Sequence, residues 1–321
     1  MSSFLGIDTS NYTTSVALCG DVDRSVRRLL DVPDGARGIR QSDGVFMHIK
    51  QLPSLYEELL KGIDVSEIKA VGVSTRPRSV DGSYMPVFVP GESFARVCAA
   101  TLGVPLYEFS HQDGHIMAGI CSCGDVAGFD GEFYSVHLSG GTCEILKSQL
   151  TDFGFCSEIV GGTKDISAGQ LIDRVGVSLG MKFPCGREVT ENALLAEKSK
   201  LRLSVSADGG YINLSGAETQ AMRLVDSAEK AQLCRAVLEC IGKSLIKALC
   251  GVGAEKVLMV GGVSSSEFLK KFLIEEGKGI DFSFASSELS TDNAYGIARL
   301  AQRRYEYGAE NCNGKPDKRL H

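Results

Sequence analysis

Two hairpins with small residues at their tips, one in each half of the chain, constrain the fold more than any other feature. Residues 4–18 read FLGIDTSNYTTSVAL, where an apolar strand turns through small polar residues and continues into a β-branched strand. Residues 133–146, FYSVHLSGGTCEIL, repeat the scheme around a Ser-Gly-Gly turn. One such hairpin opening each half of the chain predicts two related α/β lobes.

A third glycine-rich turn differs, because its strand leads into an amphipathic helix. Residues 256–273 read KVLMVGGVSSSEFLKKFL, and a strand–Gly-Gly–helix unit leaves backbone N–H groups and a helix N-terminus free to face an anion. Each Gly-Gly pair alone is typical of an ordinary turn. Together, the turns at residues 139–141 and 261–262 predict a site that binds opposite ends of a nucleotide. Asp173 fits a ribose hydroxyl in such a site, or is a surface neighbour of Arg174.

Length and patterning predict the domain organisation. The 321 residues provide two lobes, each large enough for its own core. We expect an N-terminal lobe over residues 1–118, a C-terminal lobe over 119–308 whose last helix packs back on the first lobe, and a disordered tail over 309–321. No low-complexity linker separates the lobes, so we expect them to meet over a central cleft.

Composition excludes several classes of protein. Charged residues are 23% and hydrophobic residues 43%, which is typical of soluble globular proteins. No apolar run approaches the roughly 18 residues of a membrane span, and the eleven cysteines are scattered, which favours reduced thiols and a cytoplasmic location. A net charge of −6 gives no general attraction to nucleic acid, so any RNA contact must come from a partner or from a local patch such as Arg76 and Arg78.

The stretch SHQDGHIMAGI carries the clearest chemical signal. His111 and His115 stand four positions apart, so a helix would present both imidazoles on one face, either to a metal or to solvent. A metalloprotease requires a Glu after the first His, and Gln112 cannot serve as the general base. Asp292 is either a helix N-cap or a third ligand, and two imidazoles with one carboxylate would suit Fe²⁺ or Zn²⁺. Asp8, in the first hairpin turn, suits a hydrated cation, a phosphate or its own backbone.

In order along the chain, these motifs resemble the tRNA threonylcarbamoyladenosine transferase family, whose members are also called O-sialoglycoprotein endopeptidase-like or peptidase M22-like. The matching segments are LGIDTSNYTTSVAL, SHQDGHIMAG, LSGGTCEIL, DISAGQLIDRVGVSLGMKFPCG, INLSGAET, VGGVSSSEFLKK and STDNAYGIA. The resemblance implies the two-lobed actin/Hsp70-type (ASKHA) ATPase fold. It also implies metal-assisted transfer of a threonylcarbamoyl group from its adenylate to an anticodon-loop adenosine, and not proteolysis.

The resemblance further implies the site residues and partners. One divalent metal, Fe or Zn, would be held by His111, His115 and Asp292. An adenine nucleotide, either threonylcarbamoyl-adenylate or ATP and with Mg²⁺ as a candidate companion, would bind in one pocket. The residues predicted for that pocket are Asp8, His137, Leu138, Ser139, Gly140, Gly141, Asp173, Gly186, Gly261, Gly262 and Ser266. The implied partners are tRNA and further subunits of a threonylcarbamoyl transfer complex.

The chain differs from the usual family pattern and resembles a divergent paralogue. Arg76 and Arg78 replace glycines of a Gly-Pro-Gly loop, and Thr142 replaces a histidine after the Ser-Gly-Gly turn. Two alternatives therefore stand beside the tRNA-modifying enzyme. One is a carbamoyltransferase of the same fold that acts on a small molecule, and the other is a nucleotide-binding partner subunit of a true transferase.

Overall fold

The computed structural model describes residues 2–10, 13–31, 39–79, 82–124, 127–151, 154–198, 200–286 and 293–312. Its strands are β1 Ser3–Thr9, β2 Thr13–Gly20, β3 Arg24–Leu29, β4 Ile68–Arg76, β5 Leu106–Ser110, β6 Glu132–Leu138, β7 Cys143–Thr151, β8 Gly154–Thr163, β9 Ser206–Asp208, β10 Gly210–Asn213, β11 Lys256–Val260 and β12 Asp281–Phe284. Its helices are α1 Gln41–Leu59, α2 Val89–Leu102, α3 His111–Cys123, α4 Ala168–Ser178, α5 Gly186–Leu195, α6 Ser215–Leu224, α7 Lys230–Gly251, α8 Glu267–Glu276 and α9 Asn293–Cys312.

The chain divides into two compact units. The first consists of Met1–Ser122, Leu150–Cys156 and Glu288–His321, and the second of Cys123–Gln149 and Ser157–Ser287. The predicted boundary at residue 118 falls inside α3, whose residues up to Ser122 belong to the first unit. Helix α9 continues to Cys312, so residues 309–312 of the predicted tail are helical, and residues 313–321 lie outside the described residues.

The first unit contains a five-stranded sheet in the order β3-β2-β1-β4-β5. Strands β1 and β2 form the antiparallel hairpin expected from the sequence, and β4 and β5 continue the sheet in parallel. Both faces of β1 are buried: Leu5 and Ile7 pack in a cluster with residues of α1 and α2, whereas Phe4 packs with residues of α9. Alternate side chains point to opposite faces of a strand, so the continuous apolar run of β1 suits a strand covered by helices on both sides.

The second unit contains a seven-stranded sheet in the order β12-β11-β6-β7-β8-β10-β9. The antiparallel hairpin β6–β7 is extended by β11, which runs parallel to β6 just as β4 runs parallel to β1. The apolar core of this unit includes ten of the 22 residues of α7, between Leu233 and Leu249. The repeated arrangement of hairpin and parallel neighbour agrees with the two related lobes that the sequence predicts. No helix among the described residues is both long and apolar enough to cross a membrane.

Candidate functional site

Helix α3 begins immediately after β5, and a reciprocal cap sets its first residue. The backbone N–H of Asp113 donates to Ser110 Oγ at 3.1 Å, and Asp113 Oδ2 accepts from the N–H of Ser110 at 2.9 Å. This pair is the aspartate form of a capping box, and it fixes His111 as the first helical residue. His115 follows one turn later, with the two imidazole centroids 4.6 Å apart. The predicted pair therefore lies on one face of a helix.

Asp8 contacts His111 through the Nδ1 nitrogen of the imidazole. His111 Nδ1 lies 2.8 Å from Asp8 Oδ1, and Ser74 Oγ donates to the same oxygen at 2.5 Å. The Asp8 side chain is fully buried. Burial alone would raise its pKa, but the attraction and hydrogen bond of His111, with the hydrogen bond of Ser74, outweigh burial and lower the pKa of Asp8. Asp8 is therefore an ionised carboxylate beside His111.

The ionised carboxylate defines the tautomer of His111. A carboxylate only accepts hydrogen bonds, so the proton of a neutral His111 lies on Nδ1 and Nε2 carries the lone pair. Asn293 lies next to that second nitrogen, with its Nδ2 3.5 Å from His111 Nε2. A histidine that donates one N–H to a buried carboxylate and keeps the other nitrogen unprotonated has the arrangement of a metal ligand.

The described residues supply two of the three predicted metal ligands. They contain no group of three His, Cys, Asp or Glu side chains placed to hold an ion, and Asp292 lies outside the described residues. Two observations nevertheless fit a transition metal: Asp8 fixes the tautomer of His111, and Asn293 Oδ1 is buried without a hydrogen-bond partner in this part of the chain. The donor set suits Fe²⁺ or Zn²⁺.

The placement of Asp8 differs from the prediction, which assigned it to the nucleotide pocket. Ile7 pairs with Val73 in the parallel β1–β4 register, so the next residue on each strand brings Asp8 beside Ser74, where His111 also reaches. Ser74 and Asn293 were not predicted as site residues. Nothing in a serine at a strand end or an asparagine at a helix start distinguishes them in the sequence. The capping motif Ser110–Asp113, in contrast, is readable from SHQD.

The second unit contains a cavity of about 750 Å³ that includes six of the predicted pocket residues. These are Ser139, Gly140, Asp173, Gly186, Gly262 and Ser266. The cavity is also lined by residues that were not predicted, including Gly169, Ile172, Arg187 and Thr190. All of them belong to the second unit. Turns from β6–β7 and β11–α8 meet helices α4 and α5 here, so the cavity combines polar backbone with a carboxylate, as a nucleotide site requires.

Close backbone contact shapes one wall of this cavity. A Cβ on Gly169 would overlap Gly140 Cα and lie 2.7 Å from the carbonyl oxygen of Ser139, so only glycine allows α4 to approach the turn this closely. The N–H of Gly169 donates to that carbonyl at 3.3 Å. Asp173, further along α4, accepts from the N–H of Cys185 at 2.7 Å through Oδ1. The carboxylate of Asp173 is thus oriented by the chain segment that begins α5.

Four other predicted pocket residues, His137, Leu138, Gly141 and Gly261, do not line the cavity but lie close in sequence to residues that do. Leu138 is fully buried in the core of the second unit, and His137 is the residue before it on β6. Gly261 has φ +98°, and a Cβ there would lie 2.5 Å from the carbonyl oxygen of Leu138, so this glycine allows β11 to end against β6. Gly141 follows Gly140 in the turn, with open space on its Cβ side.

Comparisons with known proteins show the family to which this chain is similar. The family model described as tRNA N6-adenosine threonylcarbamoyltransferase matches residues 42–299. The tRNA N6-adenosine threonylcarbamoyltransferase of Neorickettsia sennetsu is 25% identical over 98% of this chain and 98% of its own length. An enzyme of the same name from Thermus thermophilus is 29% identical over 95% of this chain and 93% of its own.

Solved structures show the fold. The HypF protein of T. kodakarensis superposes with a TM-score of 0.62 at 12% identity, over 96% of this chain and 48% of that chain. Component A of the (R)-2-hydroxyglutaryl-CoA dehydratase of Acidaminococcus fermentans superposes with a TM-score of 0.56 at 16% identity, over 96% and 100%. These similarities confirm the predicted actin/Hsp70-type ATPase fold. Since the family model covers most of the chain, the protein belongs to the tRNA N6-adenosine threonylcarbamoyltransferase family.

Proposed function

We propose that this protein transfers a threonylcarbamoyl group from its adenylate to N6 of an adenosine in tRNA, with the help of one divalent metal. The observation that carries the proposal is the histidine pair of α3, in which Nδ1 of His111 lies 2.8 Å from the buried carboxylate of Asp8. That contact orients the imidazole and leaves Nε2 as the nitrogen that would bind a metal. Membership of the family supplies the reaction class.

The metal would be held by His111 and His115 together with Asp292, and Fe²⁺ or Zn²⁺ suits these donors. When bound, it would supply Lewis-acid polarisation of the acyl group. Asp8 keeps His111 in the tautomer that presents a lone pair, and Ser74 keeps Asp8 in place. The capping pair Ser110–Asp113 fixes the helix turn on which both imidazoles stand.

The cavity of the second unit would hold the adenylate. Glycines at 140, 169, 186 and 262 leave backbone close to the ligand, and the carboxylate of Asp173 can accept a hydrogen bond from a ribose hydroxyl. ATP would occupy the same cavity, with Mg²⁺ as its companion.

The chemistry requires no covalent enzyme intermediate. The adenosine amine attacks the carbamoyl carbonyl, a new N–C bond forms, the C–O bond to the phosphate breaks, and AMP leaves while the amine loses one proton. Orientation and polarisation supply the catalysis, which agrees with the lack of a Ser/His or Cys/His signature in the sequence. The protein would bind its tRNA substrate in the cytoplasm. Further subunits of a transfer complex are its expected partners.

The test is to incubate purified protein with threonylcarbamoyl-adenylate and unmodified tRNA, with and without candidate partner subunits, and to measure N6-threonylcarbamoyladenosine by mass spectrometry. The double variant His111→Ala/His115→Ala should bind less metal and form no product, whereas Asn213→Ala on β10 should behave as the parent. A parent protein that modifies no tRNA but carbamoylates a small molecule would favour the alternative carbamoyltransferase. Adenylate binding without any transfer would favour a partner subunit.

A further inference from the structure

Asn293, the first residue of α9, faces Nε2 of His111, the ring nitrogen that does not contact Asp8. Its Nδ2 lies 3.5 Å from His111 Nε2, and the residue is only 5% exposed. The other end of the same amide, Oδ1, is buried and has no hydrogen-bond partner among the described residues. A buried polar atom without a partner costs about 1–3 kcal/mol, so such an atom beside a candidate metal ligand requires an explanation.

Helix packing fixes the position of this amide. Helices α3 and α9 touch through two glycines, because a Cβ on Gly296 would overlap the carbonyl oxygen of Gly114. A Cβ on Gly114 would lie 3.0 Å from the carbonyl oxygen of Asn293. Asn293 therefore begins its helix directly against the turn that carries His111 and His115. The contact with His111 Nε2 follows from backbone contact, and a flexible surface side chain would not be held in this way.

The separation of 3.5 Å is long for a hydrogen bond, since N–H donors usually lie about 2.9–3.0 Å from their acceptors. It is close to the separation expected between two ligand atoms bound to the same metal ion. Two ligands that each lie about 2.1 Å from a tetrahedral metal are about 3.4 Å apart. A half-turn about the Cβ–Cγ bond of Asn293 exchanges Oδ1 and Nδ2, and it would bring the oxygen that lacks a partner to this position.

We propose that Asn293 is a metal ligand of this site, through Oδ1, beside His111 and His115. The inference rests on the proposed metal centre and adds a neutral oxygen donor to it. Without metal, the amide would keep the orientation described here, with Nδ2 toward the lone pair of His111. Metal binding would replace that weak contact and give Oδ1 its partner. Asn293 would thus favour an ion that accepts both imidazole and amide oxygen.

Titration of the full-length, metal-free protein with Co²⁺ against a chromophoric chelator tests the proposal. Co²⁺ reports its ligands through visible absorption bands, which gives a readout independent of transfer activity. Asn293→Ala should weaken Co²⁺ binding by about tenfold or more and shift the bands. Asn293→Asp keeps the size of the side chain and supplies an anionic oxygen, so it should bind Co²⁺ at least as tightly as the parent. Asn213→Ala is the matched control and should leave both measurements unchanged.

A role for Asn293 that is limited to hydrogen bonding predicts a different result. If Asn293 only donates a hydrogen bond to His111 Nε2, the Asn293→Ala variant frees that nitrogen and should bind Co²⁺ as well as the parent or better, with unchanged bands. That outcome overturns the assignment of Asn293 and leaves the proposed function standing. A parent protein that binds no Co²⁺ removes both the metal centre and this ligand. Melting temperatures show whether each variant is folded. If Asn293→Ala is unfolded, the Co²⁺ affinity and absorption bands of Asn293→Asp provide the test.

Discussion

At the scale of single residues, the chemistry of the first unit depends on buried carboxylates and imidazoles whose protonation follows from their neighbours. Asp8 is ionised because His111 and Ser74 both favour its charged form. His48, on α1, is fully buried with Nδ1 2.8 Å from Thr14 Oγ1, and that hydroxyl donates to Gln51 Oε1 at 2.7 Å. Since the hydroxyl has one proton, it accepts from His48, which therefore carries its proton on Nδ1.

Asp8→Asn should weaken metal binding without changing the volume of the buried side chain. An amide in place of the carboxylate no longer requires the proton of His111 on Nδ1, and it removes the charge that makes the imidazole a better donor. We expect a loss of about 10–100-fold in Co²⁺ affinity, measured by chelator competition. Asp64→Asn, at an exposed turn before β4, is the matched control. Equal affinity in Asp8→Asn and parent would show that Asp8 serves only the packing of β1.

His48→Gln should flatten the dependence of stability on pH below about 6.5. Burial lowers the pKa of His48 from 6.5, and the Ser10 backbone and Asp8 carboxylate offset only part of that effect. Between the lowered value and 6.5 the unfolded chain binds more protons than the folded one, so His48 makes stability rise with pH by up to about 1.4 kcal/mol per unit. Urea unfolding of parent and variant from pH 5 to 8 measures the slope. Identical slopes would contradict the prediction.

At the scale of secondary structure, the wall of the proposed nucleotide cavity depends on how closely α4 approaches the turn between β6 and β7. The helix begins with a capping box, in which Ser167 Oγ accepts from the N–H of Gln170 and Gln170 Oε1 accepts from the N–H of Ser167, both at 3.1 Å. Ser167 Oγ also donates to the carbonyl oxygen of Gly140 at 2.6 Å. The cap thus joins α4 to the turn as well as starting the helix.

Gly169→Ala should separate these two elements. The added methyl group would overlap Gly140 Cα, and backbone on both sides leaves no flexible side chain to move away. We expect a loss of about 1–3 kcal/mol of stability, and a smaller rise of the melting temperature with ATP than in the parent. Gly131→Ala, before β6 and outside the predicted pocket, meets nothing within 4 Å and is the matched control. An undiminished ATP response in Gly169→Ala would show that the nucleotide does not bind against this wall.

At the scale of the whole molecule, an acidic protein that acts on tRNA requires a local basic surface. Arg76 ends β4 and pairs in register with Ser110, so it lies at the same sheet edge as the start of α3. The N–H of Gln112 donates to the carbonyl oxygen of Pro77 at 3.1 Å, which holds the segment with Arg76 and Arg78 beside the histidine helix. Arg76 and Arg78 therefore lie near the proposed acyl-transfer site.

Arg76→Ala/Arg78→Ala should weaken tRNA binding and reduce its salt dependence. Each arginine that neutralises a phosphate contributes about one unit to the slope of log K against log salt, so we expect the slope to fall by about one to two units. Filter binding across a salt series, with partner subunits present, gives the slope. Arg223→Ala, on the exposed surface of α6, should behave as the parent. An unchanged slope would indicate that Arg76 and Arg78 bind a small anion or support the loop.

Local patterns in the sequence were enough to predict several secondary-structure elements of this protein and its histidine pair. The hairpins, the strand–Gly-Gly–helix unit and the histidine pair at i and i+4 were readable because period and turn chemistry act between residues close in the chain. The order of the motifs indicated the family and with it the fold. The first unit ends at Ser122 rather than at residue 118 and also includes Leu150–Cys156, because hydrophobic patterning does not show which compact unit a segment joins.

Only the tertiary structure decided which distant residues meet. Parallel strand register brings Asp8 beside Ser74, and glycine contacts between α3 and α9 bring Asn293 to His111. The separations in sequence are 66 residues for the first pair and 182 for the second. A side chain's role in such a site depends on packing between elements, which leaves no periodic signal in either segment. For that reason the sequence assigned Asp8 to the nucleotide pocket, whereas the fold makes it the partner of a histidine.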